Sequence, residues 1–145
     1  MICLIQRVRR AWVLCSSGKR EEIGRGILVY VGFEADDNEG FLEKCAVKIS
    51  NLRIFEDERG KMNLSVLDVG GEVLLVPNFT LAGDARKGNR PSFDNALKPD
   101  LASILFDKLA EILSLRVPTK TGVFRDSMLV FSENDGPVNI LLKLP

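Results

Sequence analysis

Gly26-Ile27-Leu28-Val29-Tyr30-Val31-Gly32-Phe33 is an unbroken apolar run, and how it is read decides the fold. Its length is that of a strand, and no polar residue alternates along it, so it suits a strand buried on both faces. Toward the N-terminus, Ile2–Val8 and Ala11–Cys15 read as two short strands, closed by a turn at Ser16-Ser17-Gly18. Beyond the run, Asp36 and Asp37 offer N-caps for a helix. Its apolar positions Phe41, Leu42, Cys45, Ala46, Ile49 and Leu52 recur at helical spacing.

Arg53–Phe55 reads as a short strand and Asp57–Gly60 as a turn, and Leu64 and Val66 alternate with polar neighbours as on an edge strand. Gly70-Gly71 turns the chain into Glu72–Val76, a second buried strand. After Phe79–Leu81 comes a polar loop, Ala82–Pro91, and a second helix begins near Pro99 with Leu101, Ile104, Leu105, Leu109, Ile112 and Leu113 as its inward stripe. Pro118–Phe124 and Met128–Phe131 are strand candidates, Asn134-Asp135-Gly136 a tight turn, and Pro137–Leu144 a last strand. The expected fold is α+β: one domain over residues 1–145, in which two helices cover a curved or closed, barrel-like mixed sheet.

The composition, 46% hydrophobic and 28% charged over 145 residues, is that of a globular domain able to bury a core. The 20 basic and 20 acidic residues cancel, so any nucleic-acid contact rests on local patches and not on bulk charge. Cys3, Cys15 and Cys45 lack the spacing of zinc or redox sites and read as buried, reduced thiols of a cytoplasmic protein. The opening apolar run is too short for a signal peptide, and no stretch reaches the roughly 20 apolar residues of a membrane helix. The chain has no histidine. That removes Ser-His-Asp and Cys-His catalysis and the usual ligands of a catalytic zinc, so no metal or cofactor is expected. Enzymatic chemistry here would have to come from hydroxyls, carboxylates, lysine, backbone amides or the substrate itself.

Three segments exceed what a core requires. Val76-Pro77-Asn78-Phe79-Thr80-Leu81 carries a buried strand into a polar loop. Strand ends leave backbone N–H groups free to bind a developing oxyanion, although Asn78 and Thr80 at such a place also fit simple turn capping. Arg86, Lys87 and Arg90 lie within five residues on a glycine-containing loop, a pattern shared by phosphate sites and by solvated loops. Asn134-Asp135-Gly136-Pro137-Val138-Asn139 has a turn signature, and most such turns have no further role.

Taken together, these segments resemble the D-aminoacyl-tRNA deacylase family from end to end. The resemblance is carried by Gln6-Arg7-Val8, Ile23-Gly24-Arg25-Gly26, Asn51-Leu52-Arg53-Ile54-Phe55-Glu56-Asp57, Gly60-Lys61-Met62-Asn63-Leu64-Ser65-Val66, Phe79-Thr80-Leu81, Arg90-Pro91-Ser92-Phe93 and Asn134-Asp135-Gly136-Pro137-Val138. It implies a homodimeric hydrolase that cuts the ester between a D-amino acid, or mischarged glycine, and tRNA. A cis Gly136–Pro137 loop would enter the partner subunit's site and exclude L side chains, with Arg7 bracing it. Asn78, Phe79 and Thr80 would be the catalytic residues, with the backbone amides at Phe79 and Thr80 facing the ester carbonyl, and Phe124 would lie near the terminal adenosine. The ribose 2′-hydroxyl of tRNA would assist the attacking water. Two departures from the family pattern cover three positions: Pro77-Asn78 stands for Ser-Gln, and Asn139 for threonine. Pro77 also occurs in a sister family that edits L-alanyl-tRNA, and a non-catalytic tRNA-end-binding module is the reading from another class.

Overall fold

The computed structural model describes residues 1–145. The chain runs β1 (Ile2–Cys15), β2 (Arg20–Ile23), β3 (Gly26–Gly32), a 3-10 turn (Glu39–Phe41) entering α1 (Leu42–Asn51), the pair β4 (Phe55–Glu56) and β5 (Met62–Leu64), β6 (Glu72–Pro77), a second 3-10 turn (Phe79–Ala82), α2 (Pro99–Ser114), β7 (Thr119–Thr121) and β8 (Met128–Lys143). The apolar run is β3. It pairs antiparallel with β1 and parallel with β6, and β6 pairs parallel with β7. On its other edge β1 carries β8, antiparallel along nearly its whole length.

Both faces of β3 are covered, as the run predicts. Ile27, Val29 and Val31 pack with Val73 and Leu75 against Cys45 and Ile49 of α1 and Leu105, Leu109 and Leu113 of α2. Leu28, with Leu74 and Val76, faces Val8, Val13, Cys15 and Ile23 on the other side. That second core exists because the sheet curls until its two ends meet. Lys120 Nζ of β7 donates to the Glu22 carbonyl of β2 at 2.6 Å, and Lys19 Nζ to the Thr121 carbonyl at 3.3 Å. The mixed sheet is thereby nearly closed, with two α-helices on one face. All three cysteines are buried free thiols, and no helix is long and apolar enough to cross a membrane.

Several boundaries differ from the sequence expectation. Residues 2–15 form one strand, not two. Val8 pairs with Asn134 and Ala11 with Ser132, so a bulge at Arg9-Arg10 absorbs the polar break without ending the strand. Strand β2 has a single buried apolar residue, Ile23, which is why periodicity did not reveal it. Neither Asp36 nor Asp37 caps a helix. Asn38 caps the 3-10 turn by accepting from Gly40 N–H, and Asp37 instead accepts the Glu34 N–H at 2.7 Å. The short strand expected at 53–55 forms at Phe55–Glu56, and β5 stops at Leu64, leaving Val66 buried in the following turn. Helix α2 turns Ala102, Leu105, Phe106, Leu109 and Leu113 inward, leaving Leu101 and Ile104 half exposed. Ala102 and Phe106, outside the expected stripe, are buried in place of Leu101 and Ile104. The last two expected strands and the turn between them are one ladder, β8, because both halves pair with the same strand β1.

Candidate active site

Strands β3 and β6 run parallel and end together, Val31 opposite Pro77. The Asn78 N–H donates to the Val31 carbonyl at 2.8 Å, and the chain then leaves the sheet in the 3-10 turn Phe79–Ala82. The Asn78 side chain caps that turn. Its Oδ1 accepts the Thr80 N–H at 3.2 Å and the Thr80 hydroxyl as well. Gly32 lets the turn sit directly on the end of β3, since a Cβ there would meet the Asn78 carbonyl oxygen at 2.7 Å and Leu81 Cβ at 3.0 Å. The first amides of a helical turn have no partner within it, and the Phe79 N–H donates to no acceptor in the chain. The Phe79 ring is 58% exposed and meets Phe93 edge-on at 5.2 Å.

This turn forms one rim of a cleft of about 850 Å³, most of whose lining residues are apolar. Its lining includes buried Val31 and Val76, half-buried Tyr30, the contacting pair Phe79 and Phe93, and Leu97, Ala102, Phe124 and Met128. Phe124 is braced by Phe106, ring centres 6.1 Å apart. Burial pushes the Tyr30 hydroxyl up from its ordinary value, so it stays a neutral donor at physiological pH. The wall segment 124–128 is tied to the β1–β2 turn: the Ser16 hydroxyl and the Ser17 N–H both donate to the Asp126 carboxylate, and the Ser16 N–H donates to the Ser127 carbonyl at 2.8 Å. The Ser16 hydroxyl, first among these donors, holds the Asp126 carboxyl below the usual range.

A second feature lies on β8. Gln6 pairs with Asn139 and Val8 with Asn134, so Asp135, Gly136, Pro137 and Val138 bulge out opposite the single residue Arg7. Arg7 is 6% exposed. Its Nε donates to the Asp135 carbonyl at 2.9 Å and its Nη1 to the Ile54 carbonyl at 2.8 Å. The Val138 N–H donates to Asn134 Oδ1 at 2.9 Å, and Asn134 Nδ2 to Asn139 Oδ1 at 2.7 Å, so Asn139 closes the base of the bulge. Gly136 has φ +142° and the Gly136–Pro137 peptide is cis. Gly136 and Pro137 are exposed, and neither they nor Arg7 line the cleft of their own chain. One chain thus brings Asn78, Phe79 and Phe124 to one cleft, with Thr80 in the turn on its rim, and sets Arg7, Gly136 and Pro137 apart from them.

The three cations of the 82–91 loop are not equivalent. Arg86 grips Asp84 through Nε at 2.9 Å and Nη2 at 2.6 Å, and that side-chain pairing takes the Asp84 carboxyl down to about 2. Arg90 borders a second, shallow recess that shares Phe93 with the main cleft, while exposed Lys87 lines neither. No three His, Cys, Asp or Glu side chains are grouped to hold a metal ion. Thr80 Oγ1 meets a carboxamide oxygen and no base, and the Thr80 N–H is taken up by Asn78 Oδ1, so the site offers one free amide donor at a strand end, the Phe79 N–H, and not an activated nucleophile. Sequence reasoning missed Tyr30 and Phe93 as cleft residues. Both left a trace: Tyr30 is the one polar-tipped side chain in the apolar run, and Phe93 follows the polar loop.

Comparison with known proteins places this architecture. A family model described as D-Tyr-tRNA(Tyr) deacylase matches residues 4–143. A D-aminoacyl-tRNA deacylase of Persephonella marina is 50% identical over 142 residues, covering 98% of this chain and 97% of the relative. One from Dichelobacter nodosus is 53% identical over 146 residues, covering 98% and 99%. Among solved structures, the c-Myc DNA Unwinding Element Binding Protein superposes with a TM-score of 0.92 at 41% identity, over 100% of this chain and 99% of its own. A probable eukaryotic D-amino acid tRNA deacylase superposes with a TM-score of 0.86 over 97% of each chain, at 17% identity, and so speaks for the fold alone. A match running from β1 to the end of β8, with relatives at half identity over nearly their full length, means that this chain belongs to the D-Tyr-tRNA(Tyr) deacylase family.

Proposed function

We propose that the protein is a D-aminoacyl-tRNA deacylase of translation quality control, hydrolysing the ester that joins a D-amino acid to the terminal ribose of tRNA. Residues 1–145 act as one domain, working as a homodimer in the cytoplasm. The aminoacylated 3′ end enters the cleft between β3, β6 and α2, with the adenine against Phe124 and the ester carbonyl facing the turn at Phe79 and Thr80. An aminoacyl ester has a competent leaving group, so orientation and amide donation suffice to speed attack by water. The ribose 2′-hydroxyl beside the ester helps to move the proton, which fits a chain without histidine.

The observation that carries the chiral part is the separation of the two features. The Asp135–Val138 bulge is braced by buried Arg7 but stands exposed on β8, outside its own chain's cleft. A stiffened, outward-facing loop needs a recipient, and β8 is an edge strand pairing only with β1. Long unpaired edges invite association. In the dimer, main-chain carbonyls of Gly136 and Pro137 from one subunit reach the substrate amino group in the other cleft, filling the space an L side chain requires. Achiral glycine passes this filter, so mischarged glycyl-tRNA is also a substrate.

Hydrolysis of D-Tyr-tRNA, L-Tyr-tRNA, Gly-tRNA and L-Ala-tRNA, measured in parallel with the dimeric protein, tests the reading. Turnover of the D-tyrosyl and glycyl esters with the L-tyrosyl ester spared is expected. Preferential turnover of L-Ala-tRNA would assign the sister editing activity, and tRNA binding without turnover would assign a binding module.

A further inference from the structure

The cleft wall contains one residue whose backbone and charge are both out of the ordinary. Arg125 has φ +65°, the only residue other than glycine at positive φ in the chain. Left-handed backbone is disfavoured for a residue with a Cβ, and such positions persist where the surrounding structure holds them, with an enrichment at ligand sites. Arg125 follows Phe124 among the residues lining the cleft, and its side chain is 58% exposed. Its Nη2 meets Asp100 Oδ1 at 2.5 Å, but the Asp100 side chain is 88% exposed, and ion pairs this open to water are weak. Lys98, exposed, lines the same cleft. The other charged group of the wall, Asp126, is engaged by Ser16 and Ser17.

We infer that Arg125 is a substrate-binding residue for the phosphodiester on the 5′ side of the terminal adenosine, and that it exchanges Asp100 for this phosphate when tRNA binds. The inference rests on the deacylase reading and adds to it a specific anion contact. The chemistry of the substrate selects the phosphate. The amino acid's carboxyl is esterified and its amino group is cationic, so the nearest anion to the ester lies across the ribose, at the 5′-phosphate. With the base against Phe124, that phosphate emerges at the mouth beside residue 125. A guanidinium can grip two phosphate oxygens at once, which an exposed carboxylate pair gives up at little cost. Lys98, two residues before Asp100 and also lining the cleft, adds a point charge.

The test compares wild type, Arg125→Gly and Asp100→Asn in steady-state hydrolysis of D-Tyr-tRNA over a range of salt concentration. Glycine accepts the positive φ, so Arg125→Gly removes the charge without backbone penalty. It is expected to raise KM roughly tenfold with kcat little changed, and to flatten the salt dependence of log kcat/KM by about 0.7. Asp100→Asn frees the guanidinium and is expected to lower KM. If the Arg125–Asp100 pair only staples the loop to α2, both variants move KM in the same direction, and that result, or an unchanged KM and salt slope in Arg125→Gly, overturns the inference. Failure of the wild type to hydrolyse D-Tyr-tRNA would overturn the deacylase reading on which it rests, a separate outcome.

Discussion

Arg7 and Asp135, 128 positions apart in sequence, are joined by a hydrogen bond from the arginine Nε to the Asp135 main-chain carbonyl at 2.9 Å. Through it a buried guanidinium on β1 fixes the shape of an exposed bulge on β8. The Asp135 carboxylate lies farther from the same nitrogen, at 3.8 Å, so the main-chain bond and not the ion pair is the principal contact. Replacing Arg7 with alanine leaves two carbonyls, of Asp135 and Ile54, without their donor. A loss of roughly 2–4 kcal/mol in unfolding free energy is expected, together with lower D-aminoacyl-tRNA hydrolysis. Arg7→Lys keeps the charge but not the two-directional donation, and should fall between. Denaturant midpoints and kcat/KM measured on the same preparations check both effects.

The amide at position 79 can be removed without deleting the turn. Asn78 has φ −148° and ψ 89°, outside the helical region that a following proline disfavours, position 79 is the first of its 3-10 turn, and the Phe79 N–H bonds to nothing in the chain. Phe79→Pro should therefore fold. If that N–H stabilises the oxyanion, kcat falls by about 10² or more. Phe79→Ala keeps the amide, loses the edge contact with Phe93, and should lose less than about tenfold. Equal losses in the two variants would argue that the ring, and not the amide, matters.

Thr80 separates the same question from covalent catalysis. Its hydroxyl donates to Asn78 Oδ1. Thr80→Val is expected to retain more than about a tenth of the wild-type kcat, whereas loss of a nucleophile costs on the order of 10³-fold or more. Single-turnover rates make the comparison without interference from product release.

Asp84 gives the chain its clearest pH signature. The pairing with Arg86 lowers its carboxyl from the ordinary 3.8 to about 2. A depressed folded value means that folding favours the ionised form: the contribution is complete above the ordinary value and is lost as pH falls through about 2. The loop therefore keeps its shape across the physiological range. A carboxyl NMR titration should place the Asp84 midpoint near 2, and Arg86→Gln should return it most of the way to 3.8. Because Arg86 is already paired, Lys87→Ala and Arg90→Ala should flatten the salt dependence of tRNA binding more than Arg86→Ala does.

How far the sequence speaks for the structure depends on the kind of signal. The run at 26–33 predicts β3 because an element buried on both faces shows itself in composition alone. Periodicity predicts an inward face for α2 that includes Leu101 and Ile104, whereas the buried face is set by Ala102, Leu105, Phe106, Leu109 and Leu113, because a stripe of leucines does not mark the small residue that packs inside. The sequence predicts two strands and a turn where β8 stands, since Asn134-Asp135-Gly136 has turn chemistry and only the shared partner β1 reveals one ladder with an insertion. Residues 78–80 could be proposed from their place at a strand end, whereas Tyr30 and Phe93 became cleft residues only through tertiary packing. Gly136 and Pro137 stand out in the sequence by their turn signature, but the role proposed for them between subunits comes only from family resemblance, because no periodicity marks a contact with a second chain.

The most direct measurement is complementation between two defective subunits. Gly136→Ala introduces a Cβ 2.7 Å from Val138 Cγ2 at φ +142°, which disrupts the bulge and leaves the cleft intact. Phe79→Pro disrupts the cleft and leaves the bulge intact. Each homodimer alone should be nearly inactive. Refolded together, mixed dimers contain one intact cleft facing one intact bulge, and about a quarter of wild-type hydrolysis should return with D-over-L discrimination restored. Mixed dimers that form but stay inactive, or a Gly136→Ala homodimer that keeps full rate and discrimination, would contradict the account.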